Sequence, residues 1–320
     1  MDVYNLTTFT EFILIGLSDL PEVRYPLFMV IAAIYQITLL GNIAILLAIA
    51  TEKRLHTPMY YFLATMSLLD IFRPSTIVPK ILNNLLTKKQ NISFVGCALQ
   101  LFFLLALDGT ETFLLSVMAY DRYVAICFPL HYTLIITNKL CAQLTAGTWT
   151  TGFLHSLLYT VFIFHLSFCK SNLVNQFYCD IPPLMALSCS STYVTEMLVL
   201  VVGGILGVSN FLVDGISYFY IIVTILKIQS VEGKRKAFST CASHLFVLGL
   251  FYGTALFTYI RPSSHHSPAK DMFISMLNVV ITPMLNPIIY SLRNTEVKGG
   301  LKKIFCYKTK SCLEKNIILK

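Results

Sequence analysis

Apolar positions along this chain are gathered into seven long blocks, each near the roughly 20 residues that a helix needs to cross a bilayer. Residues 26–50 carry no charge, and residues 140–169 carry none beyond two histidines. Residues 59–78 are apolar except for Asp70 and Arg73, and residues 94–119 contain Asp108 and Glu111. Residues 197–226 hold only Asp214, residues 237–260 only His244, and residues 272–292 nothing charged. None of the blocks shows the strict apolar and polar alternation of a barrel strand. The expected fold class is therefore an all-α membrane protein, a bundle of seven transmembrane helices.

Composition agrees. Of 320 residues, 56% are hydrophobic and only 12% charged, with a mean hydropathy of +0.70; an ordinary soluble domain has about twice that charged fraction. Seven spans put the termini on opposite sides, and basic residues assign the sides. Sixteen Lys and Arg fall on the side of Lys53, Arg54 and the C-terminal tail, against seven on the other. The N-terminus is expected outside and the C-terminus in the cytoplasm. This divides the chain into an extracellular segment 1–25, a membrane domain 26–292, and a cytoplasmic tail 293–320 containing a short amphipathic helix. The formal charge of +8 needs no nucleic acid as partner, because the tail sits against anionic membrane lipid. No cleavable signal is expected before the first span, since residues 1–25 lack a basic start followed by an apolar core.

Asn5 opens a glycosylation sequon on the expected outer side, and Asn91 opens a second in a short outer loop close to the membrane. Of nine cysteines, Cys97, Cys169, Cys179 and Cys189 lie on that oxidising side, where disulfides are the default. Four cysteines allow three pairings; the favoured one joins Cys97 to Cys179, tying the loop over the bundle, and Cys169 to Cys189 in a small ring. Cys306 and Cys312, beside basic residues, are palmitoylation candidates, with unmodified thiols as the alternative.

Several strings have a common resemblance. Met118-Ala119-Tyr120-Asp121-Arg122-Tyr123-Val124-Ala125-Ile126-Cys127 ends the third block, and Leu55-His56-Thr57-Pro58-Met59-Tyr60 precedes the second. Gly41-Asn42 lies in the first block and Ser217-Tyr218 in the fifth. Residues 236–244, KAFSTCASH, enter the sixth, and residues 283–290, PMLNPIIY, lie in the seventh. In this order the set resembles the olfactory receptors, a branch of the rhodopsin-like G-protein-coupled receptors, over residues 10–305. The resemblance implies a receptor that binds a small volatile odorant inside the bundle and activates a stimulatory G protein to raise cyclic AMP. It also implies a multi-pass plasma-membrane protein of olfactory sensory cilia.

Arg122 is a cation at the inner mouth of the bundle, with adjacent Asp121 as the expected partner. The resemblance implies that Arg122 is released on activation to meet the G protein, with Tyr123, Tyr218 and Tyr290 completing the switch. Asp70, Glu111 and Asn286 form a second set: two carboxylates and an amide from three spans can hold a sodium ion, since oxygen ligands suit a hard cation. Carboxyls kept neutral in a polar network are the alternative. Asp108 lies one turn outward from Glu111, at the floor of an outward-opening cavity. Leu104, Leu105, Gly109, Leu206, Tyr252, Ala255 and Tyr259 are its candidate walls, found by helical steps of three or four. A carboxylate at Asp108 would favour a ligand carrying a cation or a hydrogen-bond donor, unless it pairs internally.

Arg73, Pro74, Asp108 and Asp214 depart from the pattern of the resembled family. Arg73 is three residues from Asp70 and could neutralise it, or it could pair with Asp108 across the bundle. No metalloprotease motif, nucleophile elbow or phosphate-binding loop is present, so the protein is not expected to be an enzyme, and no cofactor is expected beyond the sodium ion. The competing readings are another small-ligand rhodopsin-like receptor or, more remotely, a transporter.

Overall fold

The computed structural model describes residues 10–17, 20–87, 89–259, 268–293 and 297–300. Helix α1, Pro21–Thr51, starts with proline in its first turn, where the missing N–H costs nothing. A single 3-10 turn, Lys53–Leu55, leads to α2, Pro58–Ser75, again opened by proline. The chain breaks at Thr76–Ile77 and resumes as α3, Val78–Thr87. Helix α4, Phe94–Cys127, is capped by the Ser93 hydroxyl, which accepts from the Gly96 N–H at 3.1 Å. A short turn, α5, Tyr132–Ile135, precedes α6, Asn138–Phe164. After the six-residue α7, Ile181–Ala186, come α8, Tyr193–Lys227, and α9, Val231–Tyr259. Helix α10, Pro268–Met276, passes through a π segment, Leu277–Ile281, into α11, Thr282–Arg293.

Helix thus occupies each of the seven apolar blocks. Among the described residues, four stretches are long and apolar enough to cross a membrane: Glu22–Thr51, Phe94–Cys127, Tyr193–Lys227 and Met272–Ile289. Of the other three blocks, α6 carries threonines, a serine and a histidine, the short α2 carries Asp70 and Arg73, and the described apolar run of α9 is His244–Thr254.

Helix α4 is the axis of the bundle. Of its most apolar window 61% is buried, against 6% for α8, so α4 is enclosed by protein while α8 presents its apolar residues outward. Small residues set the closest crossing, α4 against α6. A Cβ on Gly152 would lie 2.7 Å from the Ala106 carbonyl and the Thr110 N–H, and one on Gly109 would lie 3.2 Å from the Gly152 Cα. Ser156 adds a hydrogen bond to the Phe102 carbonyl at 2.5 Å. At the α1–α11 contact, Gly41 leaves room for the Pro287 ring, and Asn42 donates to the Pro283 carbonyl at 3.4 Å. That proline sits where the helix leaves its π segment, whose widened turn Thr282 stitches by donating to the Leu277 carbonyl at 3.1 Å.

One end of the bundle carries a lid. Strand β1, Glu11–Leu14, pairs antiparallel with β2, Asn91–Ser93, and parallel with β3, Leu173–Val174. Phe12 and Leu14 point inward and are fully buried, packing with Cys97, Leu101, Phe168 and Leu184. Disulfides join Cys97 to Cys179 and Cys169 to Cys189, with Cα separations of 5.6 and 5.8 Å. Both are the favoured pairs. Asn5 and the tail cysteines lie outside the described residues; of the tail, residues 297–300 are helical, with Val297 buried.

Candidate functional site

A charged cluster lies between α2 and α4. Asp108 and Glu111 are one turn apart on α4, and Arg73 reaches them from α2. Its Nη1 donates to Glu111 Oε2 at 3.0 Å, and its Nε forms an ion pair with Asp108 Oδ1. Arg73 and Glu111 are buried, while 31% of the Asp108 side chain is exposed. Between the two partners left open by the sequence, Arg73 therefore takes Asp108, together with Glu111, and does not hydrogen-bond to Asp70. A guanidinium in so dry a place is tolerated because two carboxylates face it; removing one partner would strand a buried charge.

Asp70 instead accepts from Asn286 Nδ2 at 2.9 Å, joining α2 to α11 at a fully enclosed point. The expected sodium set is thus divided. Asp70 and Asn286 meet, but Glu111 is turned toward Arg73, whose positive charge lies within electrostatic reach of all three carboxylates. Like charges about 4 Å apart repel by about 4 kcal/mol at an effective dielectric of 20. The residues present do not fit a sodium ion.

The expected cavity walls are dispersed. Leu104 is buried beside Phe177, Tyr178 and Val280, below the lid, and Leu105 packs with the lid cluster. Gly109 lies at the α4–α6 crossing, where the absent side chain serves close helix approach. Leu206 is half-buried on α8, and Tyr252 on α9 donates to Asp214 Oδ2 at 2.7 Å. This bond gives the buried Asp214 a half-buried partner. Ala255 and Tyr259 are on α9, with side chains outside those described.

Gln100 was not a candidate from sequence. Its Oε1 accepts from the Cys179 N–H at 3.0 Å and its Nε2 donates to the Thr76 carbonyl at 3.1 Å, so it ties the lid to the break between α2 and α3. Its position one turn below Cys97 was the available signal. Nearby Asp180 caps α7 by accepting from the Ile181 N–H at 2.8 Å and from the Tyr178 hydroxyl at 3.2 Å. Burial pushes its carboxyl above the usual range.

At the opposite end, Asp121 is buried and accepts from the Tyr132 hydroxyl at 2.7 Å. Among the described residues no close ion pair joins Asp121 to Arg122, although the Arg122 charge acts on the Asp121 carboxyl after the Tyr132 hydrogen bond. Consecutive helical residues point about 100° apart, so Asp121 faces Tyr132 while Arg122 remains half-buried. Burial first, and then the Asp121 carboxylate, push the Tyr132 phenol up, keeping it a donor. One helix away, the Tyr218 hydroxyl lies 2.6 Å from His244 Nδ1, with the two rings stacked. Tyr123 lies tilted against Tyr220, with ring centroids 5.9 Å apart, and edges against Phe128. The Tyr290 side chain lies outside those described.

A family model described as olfactory receptor matches residues 31–308. The chain is 48% identical over 299 residues to human olfactory receptor 5B12, covering 93% of this chain and 95% of that one. It is 48% identical over 304 residues to mouse olfactory receptor 8U9 and 49% identical over 304 residues to gorilla olfactory receptor 1G1. In each case 95% of this chain and 97% of the relative are covered.

Proposed function

From the premise that this chain belongs to the olfactory receptor family, a family of multi-pass membrane receptors and not of enzymes, we propose that it is an odorant receptor raising cyclic AMP through a stimulatory G protein. The seven helical blocks act as seven spans. The disulfide-tied lid faces outside and the Arg122 end faces the cytoplasm, consistent with the sixteen basic residues on that side. Residues 1–25, 26–292 and 293–320 serve as outer segment, receptor domain and tail, and the site of action is the ciliary membrane of olfactory neurons.

The observation that carries this reading is the half-buried Arg122, which among the described residues forms no ion pair with Asp121, at the end of the central helix. An arginine not held by its neighbouring carboxylate is positioned to offer its donors to a partner that reaches the cytoplasmic mouth. Tyr218 and His244 lock the adjacent helices, and Tyr290 completes the switch once they part.

The ligand is a small volatile molecule held beneath the lid. Leu206 and Tyr252, both half-buried, supply wall surface, and Asp108 marks the floor. Because Arg73 engages one Asp108 oxygen and the side chain is only partly covered, its other oxygen is offered to a ligand donor.

The test is a cyclic-AMP reporter in cells expressing the full chain, screened with a chemically broad odorant panel. A ligand that raises cyclic AMP in the native chain, and fails to do so in Arg122→Ala at matched surface level, is the expected result. An undiminished signal in Arg122→Ala would overturn the coupling mechanism; substrate flux without G-protein activation would favour a transporter.

A further inference from the structure

Acidic groups from two helices converge in the middle of this bundle, where a charge has to be answered by another charge or by a proton. Asp108, Glu111 and Asp70 are the acids. The only cation among the described residues that forms an ion pair with any of them is Arg73, which bonds Glu111 Oε2 at 3.0 Å and pairs with Asp108. Arg73 is 1% exposed and belongs to the same helix as Asp70, one turn away. Its reach is fixed covalently, so its effective concentration at this site does not depend on salt.

We propose that Arg73 is a resident cation standing where these acids would otherwise recruit sodium, so that the stability of the folded chain is insensitive to the ion. Two features support this. Glu111, the acid that an ion would need to share with Asp70, is turned to the guanidinium. Any ion entering beside Asp70 would meet the positive charge of Arg73 at a buried point. The guanidinium also does what a small ion cannot: it spans Asp108 and Glu111 along one side of α4, fastening α2 to the cavity floor. This inference concerns the cluster alone and holds or fails independently of the odorant reading.

The experiment is thermal unfolding of the purified full chain in detergent, in sodium chloride and in N-methyl-D-glucamine chloride at equal ionic strength. The native chain should melt at the same temperature in both salts. Arg73→Met, which keeps the length and removes the charge, should gain a sodium-specific rise of about 3 °C, the size expected when the ion is roughly tenfold above its dissociation constant. Adding Asp70→Asn should remove that gain. If Arg73→Met does not fold, Arg73→Met combined with Asp108→Asn leaves one less stranded carboxylate and is read in the same way. A sodium-specific rise in the native chain, abolished by Asp70→Asn, would show an ion bound beside Arg73 and overturn the proposal. Folded Arg73 variants that remain indifferent to sodium would overturn the claim that Arg73 stands in the ion's place.

Discussion

The hydroxyl of Tyr218 and the Nδ1 of His244 lie 2.6 Å apart in a buried contact that joins α8 to α9. A buried polar group that loses its partner costs about 1 to 3 kcal/mol, so this bond biases the bundle toward the arrangement described. Tyr218→Phe and His244→Phe should each raise ligand-free cyclic AMP, about fivefold or more if 1 kcal/mol of that bias is lost. The double variant should add little to either single, because both remove one interaction. Basal reporter signal at matched surface expression measures this, and additive effects would mean that the two residues act separately.

Asp108→Asn should weaken amine and strong-donor odorants by about 1.5 to 3 kcal/mol, roughly ten- to a hundredfold, while sparing purely apolar ones. Asp108→Gly should broaden the response toward larger apolar ligands. Dose-response curves for each ligand class at equal surface level decide it. Equal shifts across all classes would assign Asp108 wholly to its pair with Arg73.

Losing the Cys97–Cys179 disulfide should retain the receptor inside the cell, since such a loss typically costs ~2 to 5 kcal/mol. The Cys169–Cys189 bridge closes a loop of separation 20 rather than 82. On loop-closure entropy its loss should cost about 1 kcal/mol less. Surface staining of the four single Cys→Ser variants should rank the first pair as the more damaging; the reverse order would show that the small ring matters through packing.

Asn5 is expected to carry the only glycan. Asn91 sits in strand β2 opposite Ile13, and its side-chain amide donates to Glu11 Oε2 at 2.8 Å. The third residue of its sequon, Ser93, caps α4. The folded strand therefore engages this sequon on both sides. Asn5→Gln should abolish the mobility shift seen on enzymatic deglycosylation and Asn91→Gln should leave it intact. A two-step shift in the native chain would mean that Asn91 is modified before the strand pairs.

Much of this architecture was legible in one dimension. Apolar runs near 20 residues can be satisfied in a membrane only by helices or closed barrels, so the seven blocks fixed the helices, and their motifs fixed the family. That the four outer cysteines form disulfides was legible because they share one side, while the structure selects among their three pairings. Strand β1 was missed, although its alternation is present: Phe12 and Leu14 are buried, whereas Glu11 and Ile13 are exposed. Four residues are too few to separate from an irregular terminus without the partner strands. The choices of long or neighbouring side chains were not legible at all. Arg73 could reach Asp70 by helical spacing and Asp108 by crossing the bundle, and helix packing alone decided for Asp108 and Glu111. Asp121 adjoins Arg122 in sequence yet bonds Tyr132, and Gly109 met Gly152 rather than a cavity. Sequence period sets the direction in which a helical residue points; the partner waiting there depends on the rotation and depth of the neighbouring helix, which only the assembled bundle defines.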